Sequence, residues 1–165
     1  MRTIVQISTP ADIAAARDLV REFTAWAFTL EPDSRDAPTF RDLESELAAL
    51  PGNYEPPTGC FLLARDEERP VGCGAFRALS DDTVELKRMY VRPDQRGKQI
   101  GQELVSALIA EARKRNNRRI VLDSHRTMTS AHRIYRAAGF RDVAAPAGFP
   151  EQFLSRVVFM EMTLG

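Results

Sequence analysis

Two groups of residues in this sequence have the types and spacing to do chemistry. The first is the run Arg96-Gly97-Lys98-Gln99-Ile100-Gly101. Glycines let backbone approach a ligand closely, and the first turn of a following helix offers unpaired N–H groups at the positive end of its dipole. Arg96 and Lys98 add charge beside those amides, so the run reads as a pyrophosphate cradle. The plainer reading is a strand-to-helix turn with solvated basic side chains. No Gly-Lys-Ser/Thr follows, which excludes a Walker A loop, and the Gly-x-Gly-x-x-Gly dinucleotide fingerprint is missing. The second, Asp123-Ser124-His125, has the residue types of a hydrolytic triad. Neighbours on an extended chain point to alternating sides, so they cannot form that relay. Cys60, Cys73, His125 and His132 are too few and too ordinarily spaced for zinc or a disulfide framework, and no metal is expected.

The elements that must hold these residues alternate along the chain. Ile4, Val5 and Ile7 mark a short strand, and Thr9, Pro10 and Asp12 are an N-cap, a first helical residue and a first-turn acid. Ile13, Ala16, Val20, Phe23 and Ala27 then step along one helix face. Residues 29–58 carry five prolines around a short helical stretch near Phe40 to Leu50, a loop-rich excursion of the kind that lines sites. Strands follow at Gly59 to Arg65 and Val71 to Leu79, joined by a charged hairpin turn. In the next strand, Thr83 to Arg92, the apolar positions fall at Val84 and Leu86 and then at Met89 and Val91. Side chains alternate with period two, so the change of phase indicates an extra residue near Lys87 or Arg88, a β-bulge. A strand buried on both faces would show no phase at all, and that reading stays open. Ile100, Leu104, Leu108 and Ala112 step by four and give the clearest helix, over Gln99 to Asn116. Arg118 to Leu122 completes a βαβ unit with parallel pairing. A helix from Ser130 to Ala138 stops at Gly139, and strands near Phe140 to Val143 and Leu154 to Thr163 close the chain. The basic residues Arg113, Lys114, Arg115, Arg118 and Arg119 read as a solvated helix end.

A chain of 165 residues, 44% hydrophobic and 28% charged, fits one domain over 1–165 with a full core. Its formal net charge of zero gives no basic field for nucleic acid. No membrane span or apolar leader is visible, so a cytoplasmic location is expected.

The loop and two further blocks together resemble the GNAT family of N-acetyltransferases. The loop matches the family's Arg/Gln-x-x-Gly-x-Gly/Ala motif at its ends, with Gln99 in place of the middle glycine. Glu85-Leu86-Lys87-Arg88-Met89-Tyr90-Val91 is similar to the family's fourth strand. Ala131-His132-Arg133-Ile134-Tyr135-Arg136-Ala137-Ala138-Gly139-Phe140 is similar to its Ala-x-x-x-Tyr-x-x-x-Gly-Phe helix. The blocks come in the family's order and separations, so the resemblance spans essentially the whole chain. It implies an α/β fold, a mixed and strongly twisted sheet of six to seven strands with helices on both faces and a splayed fourth and fifth strand.

The resemblance also implies acetyl-CoA as co-substrate and an amine as acceptor. Met89, Tyr90 and Val91 would present backbone to the pantetheine arm as to an added strand. Arg96, Gly97, Lys98, Gln99, Ile100, Gly101 and Gln102 would hold the pyrophosphate, with Met128 and Tyr135 further along the cofactor. Met128 stands near the position where many members carry a cofactor-touching asparagine. Glu85 would be the base, Tyr135 the acid and the Met89 amide an oxyanion donor, while the inert readings are Glu85 as a strand charge paired with Lys87 or Arg88 and Tyr135 as a core aromatic. The acceptor would be a small molecule, amino acid or peptide end, walled by Trp26, Phe28, Phe40, Tyr54, Phe149 and Phe153. A non-catalytic acyl-CoA sensor on the same fold, and a binding domain with no coenzyme, are the competing readings. A homodimer through the late strands would be common in the family.

Overall fold

A computed structural model describes residues 1–165. Seven strands, β1 (Arg2–Gln6), β2 (Cys60–Asp66), β3 (Arg69–Ala78), β4 (Thr83–Val91), β5 (Arg119–His125), β6 (Arg141–Val143) and β7 (Val157–Thr163), form one sheet. Their spatial order is β1-β2-β3-β4-β5-β7-β6. Every neighbouring pair is antiparallel except β4 and β5, whose crossover runs through a helix.

Helix α1 (Pro10–Leu30) starts where the N-cap signal places it. The Asp12 amide donates to the Thr9 hydroxyl and the Thr9 amide to the Asp12 carboxylate, a closed capping box. Its buried residues Ala16, Leu19, Val20, Phe23 and Ala27 pack on one face of the sheet with Phe61, Leu63, Cys73 and Tyr90. Short helix α2 (Leu43–Ala49) lies among 3₁₀ turns on that same side, and the Arg17 Nε donates to the Leu47 carbonyl at 2.7 Å to tie it to α1. Helix α3 (Ile100–Lys114) buries Ile100, Leu104, Val105, Leu108 and Ala112 against the opposite face, as its four-residue step requires. Helix α4 (Thr129–Ala138) packs on that side too and stops at Gly139, whose φ of 116° lies in the left-handed region.

The phase change in β4 is a bulge. Cys73 pairs with Tyr90, but Ala75 pairs with Lys87, so one residue of β4 has no partner, and Arg88 there has a φ of 60°. The bulge sends Val84, Leu86, Met89 and Val91 all into the α3 side of the core while Arg88 and Tyr90 face α1 and α2. Gly74 sits opposite, where an added Cβ would lie 2.3 Å from the Met89 sulfur.

Just before the bulge the sheet splits. Strands β4 and β5 pair only from Thr83 with Arg119 to Glu85 with Val121, yet β4 runs on to Val91 and β5 to His125.

Three expectations need correction. Strand β5 continues past Leu122 to His125, held along its length by β7. Strand β7 begins at Val157, because Glu151–Arg156 coil into a 3₁₀ turn. Arg115 is not part of a solvated helix end: it donates to the carbonyls of Pro57 and Gly59, pairs with Glu111 and covers the Phe76 ring.

Candidate active site

The split opens onto the N-terminus of α3. The amides of Gly97 through Gln102 donate to no group within the chain, because the first intrahelical bond is Glu103 N–H to the Gln99 carbonyl. Those free donors point from the start of a helix, which suits an anion. The turn is made by two left-handed residues, Gly97 at φ 81° and Gln99 at φ 66°. A glutamine there costs on the order of 1 kcal/mol relative to glycine, so the turn is kept in spite of its local sequence.

A groove of about 490 Å³ runs from this turn into the split. It is lined by Met89, Tyr90 and Val91 from β4, by Arg96, Gly97, Gln99, Ile100, Gly101 and Gln102 from the turn, and by Met128 and Tyr135 from α4 and its approach. Of the residues expected to bind the cofactor, Lys98 alone lies outside the lining, since its ammonium donates to Gln95 Oε1 at 3.1 Å. Arg96 lines the groove and is exposed, yet its guanidinium is engaged within the chain. Its Nε donates to the Val91 carbonyl at 3.1 Å and its guanidinium lies 4.5 Å from the centroid of the Trp26 ring. Trp26, Ser130 and Arg133 also line the groove, and none was singled out from the sequence as a cofactor residue. Gly101 lets α4 come close, for a Cβ there would meet Ile134 at 2.9 Å.

A second, smaller cavity of about 100 Å³ lies on the α1 side of the split. Its floor is polar, with Glu85, Lys87 and Arg88 from β4 and Asp123 and His125 from β5, and its roof includes Ser34, Thr39 and Phe40 from the excursion. Glu85 is ion-paired, though with its cross-strand partner Arg77 at 2.9 Å rather than with Arg88, and Lys87 stands 3.9 Å away. Arg88 is held by Glu46 of α2 at 2.7 and 3.1 Å. Burial raises the Asp123 carboxyl above its usual range, and the nearby charge of Glu85 adds to the rise. Burial likewise pushes the Tyr135 phenol above its usual 10. The groove and the cavity meet at Met89, Met128, Ala131 and Tyr135, which line both.

The triad is not assembled. Ser124 Oγ lies 3.0 Å from His132 Nε2, His125 contacts Thr127 and Glu31, and Asp123 bonds to neither histidine. Burial pushes the Cys60 and Cys73 thiols up to about 12, so neither is a ready nucleophile. The chain has no group of three or more His, Cys, Asp or Glu placed to hold a metal ion.

The expected aromatic wall is mostly packing. Phe40 lines the smaller cavity and Trp26 the groove, while Phe28 stacks edge-on against Phe40. Tyr54 is buried against Phe61, Phe149 packs edge-on against Phe159, and Phe153 is buried.

The sequence model of the acetyltransferase (GNAT) family matches residues 16–140. The chain belongs to this family. An uncharacterized N-acetyltransferase of Schizosaccharomyces pombe is 34% identical over 141 residues, 84% of this chain and 82% of the relative. N-acetylaspartate synthetase of Danio rerio is 37% identical over 103 residues, 61% of this chain but 36% of the relative. A crystal structure assigned as an acyl-CoA N-acyltransferase of Klebsiella pneumoniae superposes over 100% of this chain and 99% of its own, with a TM-score of 0.75 and 30% identity. The GNAT chain is therefore an acyl-CoA-dependent acetyltransferase. Its free amide turn and the unpaired edge of β4 are the features that fit coenzyme A. No helix is long and apolar enough to cross a membrane.

Proposed function

We propose that this GNAT acetyltransferase passes the acetyl group of acetyl-CoA to the primary amine of a small molecule, amino acid or peptide by direct attack on the thioester. The observation that carries this is the junction of groove and cavity at Tyr135, which lets a cofactor in one meet an amine in the other. Direct attack needs no nucleophile from the chain, in keeping with the two inert thiols.

Four of the chain's groups have work to do. The amides of Gly97 through Gln102 hold the diphosphate, and β4 beyond Glu85 offers backbone to the pantetheine arm. Glu85, oriented by Arg77, accepts the proton that the amine loses, directly or through water. Tyr135, kept protonated by burial, gives a proton to the departing thiolate. The Danio rerio relative is named for an acetylated amino acid, which keeps amino acids among the acceptors.

The test measures CoA release with a thiol reagent across a panel of amines. Tyr135→Phe should lower kcat by about 100-fold with little change in coenzyme A affinity, and Glu85→Gln should flatten the rise of rate with pH. Unchanged kinetics in both variants would remove these roles.

A further inference from the structure

Two side chains of opposite charge on the floor of the acceptor cavity have no hydrogen-bond partner in the chain. Glu85 and Arg88 are provided for: Arg77 holds Glu85, and Glu46 holds Arg88. Lys87 is different. Its side chain is 11% exposed, its ammonium donates no hydrogen bond, and its nearest anion is Glu85 Oε1 at 3.9 Å, an oxygen that already accepts from Arg77. Asp123 makes neither a hydrogen bond nor an ion pair and lines the same cavity. The register Glu85 with Val121 carries forward two residues on each strand to set Lys87 opposite Asp123, on the two lips of the split.

Removing a charge from water is costly unless a partner replaces the water, so a fold seldom leaves two such groups half-buried without use. Burial moves both titrations in the direction of neutrality, lowering Lys87 and raising Asp123. A ligand that restores both charges must carry both signs itself. A simple alkylamine would leave Lys87 unanswered, and so would an N-terminus whose carboxyl is tied up in a peptide bond. The cavity's volume of about 100 Å³ under the roof of Ser34, Thr39 and Phe40 also favours a compact acceptor.

We propose that the acceptor is a free amino acid, its carboxylate bound by Lys87 and its ammonium drawn by Asp123 toward the seam at Tyr135. This rests on the acetyl-transfer reading above and narrows it. Lys87 is thus a specificity residue, and Asp123 a second carboxylate at the reacting end of the cavity beside Glu85.

The experiment uses the full chain with acetyl-CoA and compares each amino acid with its own α-carboxamide and with a monoamine of the same side chain. Amino acids should be turned over with kcat/KM at least about 10-fold above their carboxamides, because a site built for a charged group rejects the analogue that lacks it. In Lys87→Met that ratio should collapse toward one, chiefly through KM for the acid, and Lys87→Arg should restore most of it. Asp123→Asn should raise KM for acid and carboxamide alike. Melting curves with coenzyme A confirm that each variant still folds and binds cofactor. Equal kcat/KM for acid and carboxamide, or a preference that survives Lys87→Met, overturns the proposal while leaving acetyl transfer intact. CoA release from no amine, with coenzyme A still bound, removes both.

Discussion

The ion pair between Arg88 and Glu46 gives the sharpest test of how the smaller cavity is built. Arg88 occupies the bulge, and its side chain is 2% exposed against 25% for Glu46. Glu46 accepts from Arg88 Nε at 2.7 Å and Nη2 at 3.1 Å, and Thr39 Oγ1 lies 3.4 Å from Nη1. One side chain on the sheet therefore fastens α2 and the turn before it over the cavity. Glu46→Gln keeps the shape but leaves a buried guanidinium without its counter-charge. Breaking a buried pair in this way costs about 3–5 kcal/mol, and water reaching the partly exposed partner returns some of it, leaving about 2–3 kcal/mol. For a chain of this length each kcal/mol moves Tm by about 2–4 °C, so the midpoint should fall by about 4–12 °C. Calorimetry of Glu46→Gln, Arg88→Met and the double variant Glu46→Leu/Arg88→Met measures it, and the double variant should recover much of the loss.

The same pair sets an acid limit. Burial works to raise the Glu46 carboxyl, but the hydrogen bonds and charge of Arg88 outweigh it and hold the pKa below the usual 4.5. A carboxylate lowered in the folded state adds stability that is present above pH 4.5 and is lost as the pH falls below that value through the native one. Glu46→Gln should therefore lose stability less steeply than the parent below pH 4.5. A midpoint shift under about 2 °C at neutral pH, together with an unchanged acid slope, would refute the reasoning.

Gln99→Gly should raise Tm by about 2–4 °C in calorimetry, because φ 66° is free for glycine and strained for glutamine. A lower Tm would mean that the Gln99 side chain does something the turn needs. Cys60 and Cys73, raised to about 12 by burial, should resist a disulfide-exchange reagent at pH 8 in the folded chain and react together on unfolding. Fast labelling of either in the native state would contradict the packing.

Local signals in the sequence were legible where they depend on neighbours along the chain. The N-cap at Thr9 with Asp12 in the first turn, the stripe of α3 and the stop at Gly139 involve residues within a few positions of one another, and each formed as expected. The bulge was visible as well, because a switch of face is written into the spacing of Val84, Leu86, Met89 and Val91. What the pattern could not show was pairing at a distance. Glu46 meets Arg88 across 42 residues, and Arg115 reaches Gly59 across 56. A carboxylate or guanidinium reads as solvated until the fold buries it, which is also why Asp123 was considered only as one part of a triad. Phe149 and Phe153 looked like a cleft wall for the complementary reason, since an aromatic in a loop does not reveal which surface it covers.

The bulge explains more than the opened edge. Without the extra residue, Arg88 would keep the alternation of Leu86 and point into the apolar core beneath α3, where no carboxylate waits for it. Met89 and Val91 would turn toward α1, taking apolar surface out of the groove and away from the α3 side of the core. A single unpaired position thus does two things at once: it aims Arg88 at Glu46 to roof the smaller cavity, and it carries the apolar face past the point where β4 parts from β5. The groove and the cavity both depend on that one residue, so a deletion that restored regular pairing there would dismantle both sides of the junction at Tyr135.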